Sequence, residues 1–170
     1  PLHLKATLQE GWHLYSLTTP KGGPIPTTAE LAENPAVSGS KLYQPPPERR
    51  FDKNFNLDTE TFEKTVDFPL SAEMAKTAKG TVELTAQVRY QACNDRQCLP
   101  PRKKTAAFTL AIDPAALAPA AFVVPAGYTE IKPGAVAVQF SKASTTGAAS
   151  ADAGGLPAFL LTAFGLGLAA

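Results

Sequence analysis

This chain has few of the side chains that most often act as nucleophiles, general bases or metal ligands. Its 170 residues include two histidines, two cysteines, one methionine and one tryptophan. Sixteen basic residues nearly balance fifteen acidic ones, so the net charge is +1 at pH 7. Such a balance offers no large basic field and no acidic tail, and we therefore expect no nucleic-acid partner.

Long helical patterns are also scarce, and strand patterns take their place. The chain contains sixteen prolines, nearly twice the usual share, and each proline removes a backbone donor. Apolar residues alternate with polar ones over residues 81–92, and residues 106–112 supply a matching return strand. These short alternating segments, separated by proline and glycine turns, predict an all-β fold. We expect an immunoglobulin-like antiparallel β-sandwich over residues 1–112.

Two further segments alternate in the same way. Residues 2–8 place four apolar side chains on one face, and residues 62–70 do the same, with Lys64 interrupting. Helix is a minor expectation. Residues 71–78 predict one or two helical turns, because Ser71 suits an N-cap and Glu73 falls in the first turn.

The two cysteines, Cys93 and Cys98, are separated by four residues at the tip of the predicted hairpin. A disulfide that closes so short a loop adds little stability, which favours redox chemistry or metal binding over a structural role. A disulfide needs Cα atoms about 4.4–6.8 Å apart, and two cysteines that flank a four-residue loop at a hairpin tip can come this close. The alternation places Cys93 on the solvent-facing side or at a bulge, which predicts an accessible thiol.

The residues around the pair resemble a known family. Residues 88–93 (VRYQAC) and 98–101 (CLPP) are similar to the redox-active hairpin of the N-terminal periplasmic domain of DsbD. DsbD is a bacterial thiol:disulfide interchange protein. Residues 11–16 (GWHLYS) resemble the family's Gly-aromatic-x-Leu-Tyr segment, and residues 45–55 resemble its proline-led loop that caps the cysteines. The likeness spans roughly residues 2–112.

This resemblance implies a function, a route and a location. The chain would be a periplasmic thiol–disulfide exchange module, acting as a protein-disulfide reductase through a Cys93/Cys98 dithiol. Reducing equivalents would arrive from a thioredoxin-like domain of the same protein. They would leave toward periplasmic disulfide isomerases and cytochrome c maturation thioredoxins. The protein would reside in the bacterial inner membrane, with this domain in the periplasm, and we expect no cofactor and no metal.

The resemblance also implies roles for residues near the pair. Phe55 matches the aromatic that covers the cysteines, although the same residue could anchor its own loop to the core. Tyr15 and Tyr90 are expected in the wall of the site or in the core of the sandwich. Asp52 and His13 are expected in the wall, where they would tune a thiol pKa, or as ordinary surface groups. His13 departs from the family pattern, because some members have a second aromatic at this position.

Cys98 is the sulfur expected to meet the partner. Leu99 and two prolines follow it and hold it at the surface, whereas Cys93 is tied to the end of a strand. The second cysteine is also the one that the resemblance implies for mixed disulfides with partner proteins.

Composition changes after residue 112. Residues 113–153 are rich in Ala, Pro, Ser, Thr and Gly, which is typical of a linker. Residues 154–170 carry no charge and predict the start of a transmembrane helix, truncated at residue 170, since a span needs about 20 apolar residues. A buried core helix is the alternative. If the segment is a membrane helix, the membrane is a further partner of this chain.

Two other functions remain open at this point. One is a non-catalytic immunoglobulin-like binding module whose hairpin disulfide is structural. The other is a metal site formed by Cys93, Cys98 and the histidines, although His3 and His13 lack the spacing of a second ligand pair.

Overall fold

The computed structural model describes residues 1–113, 115 and 121–132, together with the backbone of residues 159–162. Within these residues every assigned element is a β-strand. The strands are β1 (Leu2–Thr7), β2 (His13–Tyr15), β3 (Thr28–Leu31), β4 (Val37–Gln44), β5 (Glu48–Asp52), β6 (Leu57–Glu63), β7 (Thr65–Met74), β8 (Gly80–Tyr90), β9 (Ala92–Cys93), β10 (Arg102–Ile112), β11 (Thr129–Ile131) and β12 (Phe159–Thr162).

The strands of the described residues form three sheets. A five-stranded sheet has the order β11-β4-β7-β1-β12, a three-stranded sheet the order β10-β8-β3, and a four-stranded sheet the order β5-β6-β2-β9. Every strand pair is antiparallel. The predicted all-β fold with antiparallel sheets is therefore confirmed.

The hydrophobic core lies between the five-stranded sheet and the other two sheets. The five-stranded sheet contributes the buried side chains of Leu4 on β1 and Phe68 on β7 to this core, and the three-stranded sheet contributes Val88 on β8. Phe62 on β6 meets Phe68 edge-on, with ring centroids 5.5 Å apart. Burial of these side chains is the main favourable term in the fold, because apolar area removed from water contributes about 25 cal/mol per Å².

The clearest sequence prediction, the long hairpin, is confirmed. Strands β8 and β10 pair without a shift from Gly80 opposite Ile112 to Tyr90 opposite Arg102. Even-numbered residues 84–90 of β8 are buried, as the alternation requires. The residues that join the two strands carry both cysteines.

Two local predictions are wrong. Residues 62–70 do not form one alternating strand but the end of β6 and the start of β7, which meet at Lys64 in a left-handed conformation (φ 59°). The predicted helical turns at residues 71–78 are absent, because β7 continues to Met74 and pairs with β4. Pairing satisfies the backbone of residues 71–74 in the sheet, and this overrides their weak helical preference.

The C-terminal segments are described only in part. Within the predicted linker, β11 pairs with β4, and Phe122 packs against Tyr43 with ring centroids 5.5 Å apart. Within the predicted membrane segment 154–170, residues 159–162 form β12 beside β1 and are extended rather than helical. The rest of that segment lies outside the described residues. Among the residues described, no helix has the length and apolar character that a membrane span needs.

Candidate functional site

Cys93 and Cys98 are joined by a disulfide with an S–S distance of 2.08 Å. We refer to residues 93–98 as the disulfide loop. Asn94 organises it: its backbone N–H donates to the carbonyl of Gln97 at 2.9 Å, and its side-chain Oδ1 accepts from the amides of Arg96 and Gln97. The loop is thus closed twice, by the covalent bond and by this turn.

The two sulfur-bearing residues differ in exposure. Cys93 is completely buried, whereas Cys98 is half-buried. The prediction of an accessible Cys93 thiol is wrong. Strand β8 ends at Tyr90, Gln91 lies outside any strand, and Cys93 then belongs to β9, which pairs in a different sheet. Alternation fixes side-chain direction only within one strand, so it cannot be extended across Gln91.

Gln91 fixes the base of the disulfide loop. Its side-chain Oε1 accepts from the amide of Ile25 at 3.0 Å, and its Nε2 donates to the carbonyl of Leu99 at 3.4 Å. The amide of Leu99 donates in turn to the carbonyl of Ala92 at 2.9 Å. The residues immediately before and after the cysteines are therefore held together independently of the disulfide.

His13 lies directly opposite Cys93 in the pairing of β2 with β9. Its Nε2 is 3.2 Å from the hydroxyl of Tyr15, and this hydroxyl donates to Oδ2 of Asp52 at 2.6 Å. The guanidinium of Arg50 donates to Nδ1 of His13 at 2.6 Å and also pairs with Glu63. Since Arg50 can only donate, Nδ1 is the acceptor and the neutral ring carries its proton on Nε2.

The surroundings keep both rings of this network neutral. Burial lowers the pKa of His13, and the Arg50 cation lowers it further, against the opposing effect of the Asp52 carboxylate. Burial also raises the pKa of Tyr15 far above its usual value, and the hydrogen bond to Asp52 adds to this effect. Neutral His13 and Tyr15 therefore act beside Cys93 as hydrogen-bonding groups rather than as charges.

The segment that resembles the capping loop is a strand followed by a tight turn. Residues 48–52 form β5, and only residues 53–56 turn back into β6, with Asn56 in the left-handed region (φ 54°). We call residues 53–56 the β5–β6 turn. Within it, the ring of Phe55 is half-buried and meets Tyr15 edge-on, with centroids 6.1 Å apart.

The turn also reaches the disulfide loop. The side-chain amide of Asn54 donates to the backbone carbonyl of Asn94 at 3.0 Å, and the backbone amide of Asn54 donates to Oδ1 of Asp52 at 2.8 Å. Asp52 is buried, and each of its carboxylate oxygens accepts one hydrogen bond. Oδ2 accepts from Tyr15 on β2, and Oδ1 accepts from the backbone of Asn54 in the turn. This carboxylate holds the β5–β6 turn in place.

Most of the predicted site residues come together. Cys93, His13, Tyr15, Asp52 and Phe55 form one connected group beside Cys98. Tyr90 instead belongs to the main hydrophobic core, where burial raises its pKa. A cleft of about 140 Å³ opens beside the group, lined by His13, Arg50, Phe51, Asp52, Lys53, Asn54 and Asp95.

Sequence reasoning missed Asn54, Arg50 and Phe51. Asn54 and Arg50 act through contacts with residues about 40 positions away, for which the sequence offers no local signal. Phe51 is 56% exposed although it is aromatic. In the part of the chain that the structure describes, no group of three or more His, Cys, Asp or Glu residues is arranged to hold a metal ion.

Comparisons with known proteins point to one family. The sequence profile described as "Thiol:disulfide interchange protein DsbD, N-terminal" matches residues 1–110. The N-terminal domain of DsbD from Neisseria meningitidis, in a crystal structure of its reduced form, is 12% identical. That alignment covers 64% of this chain and 76% of the Neisseria chain, with a TM-score of 0.43. No curated protein matches this sequence.

Proposed function

Because this chain belongs to the family of the DsbD N-terminal domain, we propose that Cys93 and Cys98 are its exchange site and that it acts as a protein-disulfide reductase. A thiol–disulfide exchange module needs two sulfurs that can bridge and one that a partner can reach. The unequal burial of the two cysteines is the observation that carries the proposal, because only Cys98 is partly open to solvent.

The exchange proceeds in two balanced steps. A thiolate of the reducing partner attacks Sγ of Cys98, the Cys93–Cys98 bond breaks, and its electron pair remains on Sγ of Cys93. The second thiolate of the partner then attacks the mixed disulfide and releases Cys98. The partner ends as a disulfide, and two protons are taken up by the reduced cysteines of this domain. The reverse sequence passes the electrons on to an oxidised substrate.

The β5–β6 turn and the polar group beneath it form the cover and wall of this site. A reduced dithiol that is freely exposed would lose its electrons to any oxidant. Phe55 packs its ring against Tyr15 and lies on the turn that Asn54 joins to the disulfide loop. Asp52 holds the turn, while His13 lies opposite Cys93. Tyr90 contributes from the core side, at the end of the strand that leads to Cys93.

Membership of this family supports thioredoxin-like proteins as partners. Thioredoxin-like proteins present an exposed cysteine pair, which fits attack on a half-buried Cys98. We propose a thioredoxin-like domain of the same protein as the electron donor, and periplasmic disulfide isomerases and cytochrome c maturation thioredoxins as acceptors. In this scheme the domain lies in the periplasm, and residues 113–153 lead from it toward the inner membrane.

Redox equilibration tests the proposal. The oxidised protein is mixed with a reduced thioredoxin-like protein, and the free thiols of both are counted by mass spectrometry after acid quenching. Transfer of two electrons, with a reduction potential well above about −300 mV, is the expected result. A lower potential with no transfer would identify the bond as structural and the chain as a non-catalytic binding module.

A further inference from the structure

One exposed hydrogen bond joins the β5–β6 turn to the disulfide loop. The side-chain amide of Asn54 donates to the carbonyl of Asn94, the residue that directly follows Cys93. The amide nitrogen of Asn54 is the only group on this side chain that can donate to a carbonyl, so the orientation of the amide is fixed by its partner. The contact bridges 40 positions of sequence.

Each end of this bond is fixed by further contacts. The N–H and side-chain oxygen of Asn94 are both used inside the disulfide loop, which leaves its carbonyl directed at Asn54. The backbone of Asn54 is anchored to Asp52, whose other oxygen accepts from Tyr15. The Asn54 side chain therefore links two segments that are each already ordered.

These contacts form a closed circuit around the disulfide. It runs from Cys93 to His13 by strand pairing, then through Tyr15, Asp52 and Asn54 to Asn94, which is bonded to Cys93. The Tyr15–Asp52 step is buried, whereas the Asn54–Asn94 step is exposed. Water competes for an exposed hydrogen bond, so the circuit opens most easily at Asn54.

We infer that Asn54 is a positioning residue of the exchange site, whose side-chain amide latches the β5–β6 turn onto the disulfide loop and thereby limits access to Cys98. The inference rests on the proposed function for its role in exchange. The latch itself is a property of the structure. Releasing it frees the turn, and Phe55 with it, from the disulfide loop, while the buried Tyr15–Asp52 bond stays in place.

Alkylation of the reduced protein measures the latch. Asn54→Ala removes the donor, and Asn54→Gln retains an amide that can partly restore it. Asn56→Gly is the matched control, because it replaces an asparagine of the same turn at a positive φ that glycine adopts readily. Each reduced variant reacts with iodoacetamide well below its unfolding midpoint, and mass spectrometry follows modification of Cys98.

We expect Cys98 in Asn54→Ala to react about two- to tenfold faster than in the parent protein, the range that corresponds to loss of one hydrogen bond. Asn54→Gln should fall between the two, and Asn56→Gly should match the parent. An unchanged rate in Asn54→Ala would overturn the inference. So would a rate that rises with denaturant in step with global unfolding, since that would mean that only fold stability had changed.

A second measurement separates the latch from the proposed function. Oxidised parent and Asn54→Ala proteins are reduced by a reduced thioredoxin-like protein, and the rate is followed against its concentration. A lower KM with a similar kcat in the variant supports a latch that opens before the partner docks, and identical constants would count against it. If the parent protein exchanges no disulfide at all, the proposed function fails, and the alkylation rates alone decide the latch.

Discussion

His13 and Cys93 lie directly opposite each other on the antiparallel strands β2 and β9. Side chains in such a pair project to the same face of the sheet with Cβ atoms about 4.5–5.5 Å apart. A buried sulfur therefore has a buried, neutral imidazole as its cross-strand neighbour. The other sulfur, at Cys98, lies on the solvent side of the same loop, so the two cysteines meet different surroundings.

This asymmetry predicts which sulfur forms the mixed disulfide. Cys93→Ser leaves Cys98 as the free thiol, and it should form a mixed disulfide with a thioredoxin-like protein whose single cysteine is activated with 5-thio-2-nitrobenzoate. Cys98→Ser leaves only the buried thiol and should react far more slowly. Non-reducing electrophoresis and release of the yellow thiolate follow the reaction. Equal trapping by both variants, or trapping through Cys93 alone, would refute the assignment.

The disulfide should contribute little to fold stability. Closing so short a loop removes little entropy from the unfolded chain, which limits its contribution to about 2–3 kcal/mol. Gln91, Leu99 and Asn94 also hold the loop through hydrogen bonds that do not need the S–S bond. Urea unfolding of the oxidised and reduced protein measures the difference, with a Cys93→Ala/Cys98→Ala variant controlling for effects of the reductant. Unfolding on reduction would show a structural bond.

Sequence patterns were sufficient where one strand stays in one sheet. The alternation of β1, and of the β8–β10 hairpin, predicted the buried faces because each of these strands has one face on the core. The same rule failed at Cys93, because the chain changes sheets at Gln91. No residue type marks that change, since the partner strand β2 lies about 80 positions earlier.

The candidate site was predictable in part for a related reason. The cysteine pair and the wall residues Tyr15 and Asp52 were identified from motifs that a resemblance can carry. Asn54 and Asn94 were not, because asparagine is common in turns and their contact depends on how β5 and β9 are placed. The burial of Cys93 beside a neutral His13 likewise depends on pairing rather than on local sequence.

Stability should fall as the solution is acidified through the range in which His13 titrates. The folded pKa of His13 lies below the value of about 6.5 expected in the unfolded chain. Between the two values the unfolded chain binds more protons, so stability rises with pH in that window. The contribution of His13 to stability is fully present above about pH 6.5 and is lost progressively as the pH falls toward the lowered folded pKa.

A histidine variant isolates this contribution. Urea midpoints measured from pH 7.5 to pH 5 should drop less for His13→Gln than for the parent protein, because the variant has no imidazole to protonate at this position. The assignment to His13 would be wrong if His13→Gln kept the parental slope.

Phe55→Ala distinguishes a cover over the cysteines from a core anchor. Phe55 is half-buried and its ring contacts Tyr15 edge-on, a pair worth about 0.5–1.5 kcal/mol beyond area burial. We therefore expect a loss of about 1–2 kcal/mol in unfolding free energy, together with faster alkylation of reduced Cys98. Truncating a buried core phenylalanine costs about 3–5 kcal/mol, and Phe62→Ala supplies that comparison in this chain.

The unfolding free energy and the alkylation rate must be measured on the same samples to distinguish a cover from a core anchor. In Phe62→Ala, the cysteines should become more reactive only as far as global unfolding exposes them, because Phe62 packs against Phe68 in the core. In Phe55→Ala, the added reactivity should persist far below the unfolding midpoint, since it arises from an opened turn. A Phe55→Ala protein that loses several kcal/mol while its alkylation rate merely follows unfolding would show that Phe55 anchors the β5–β6 turn to the core and does not cover the exchange site.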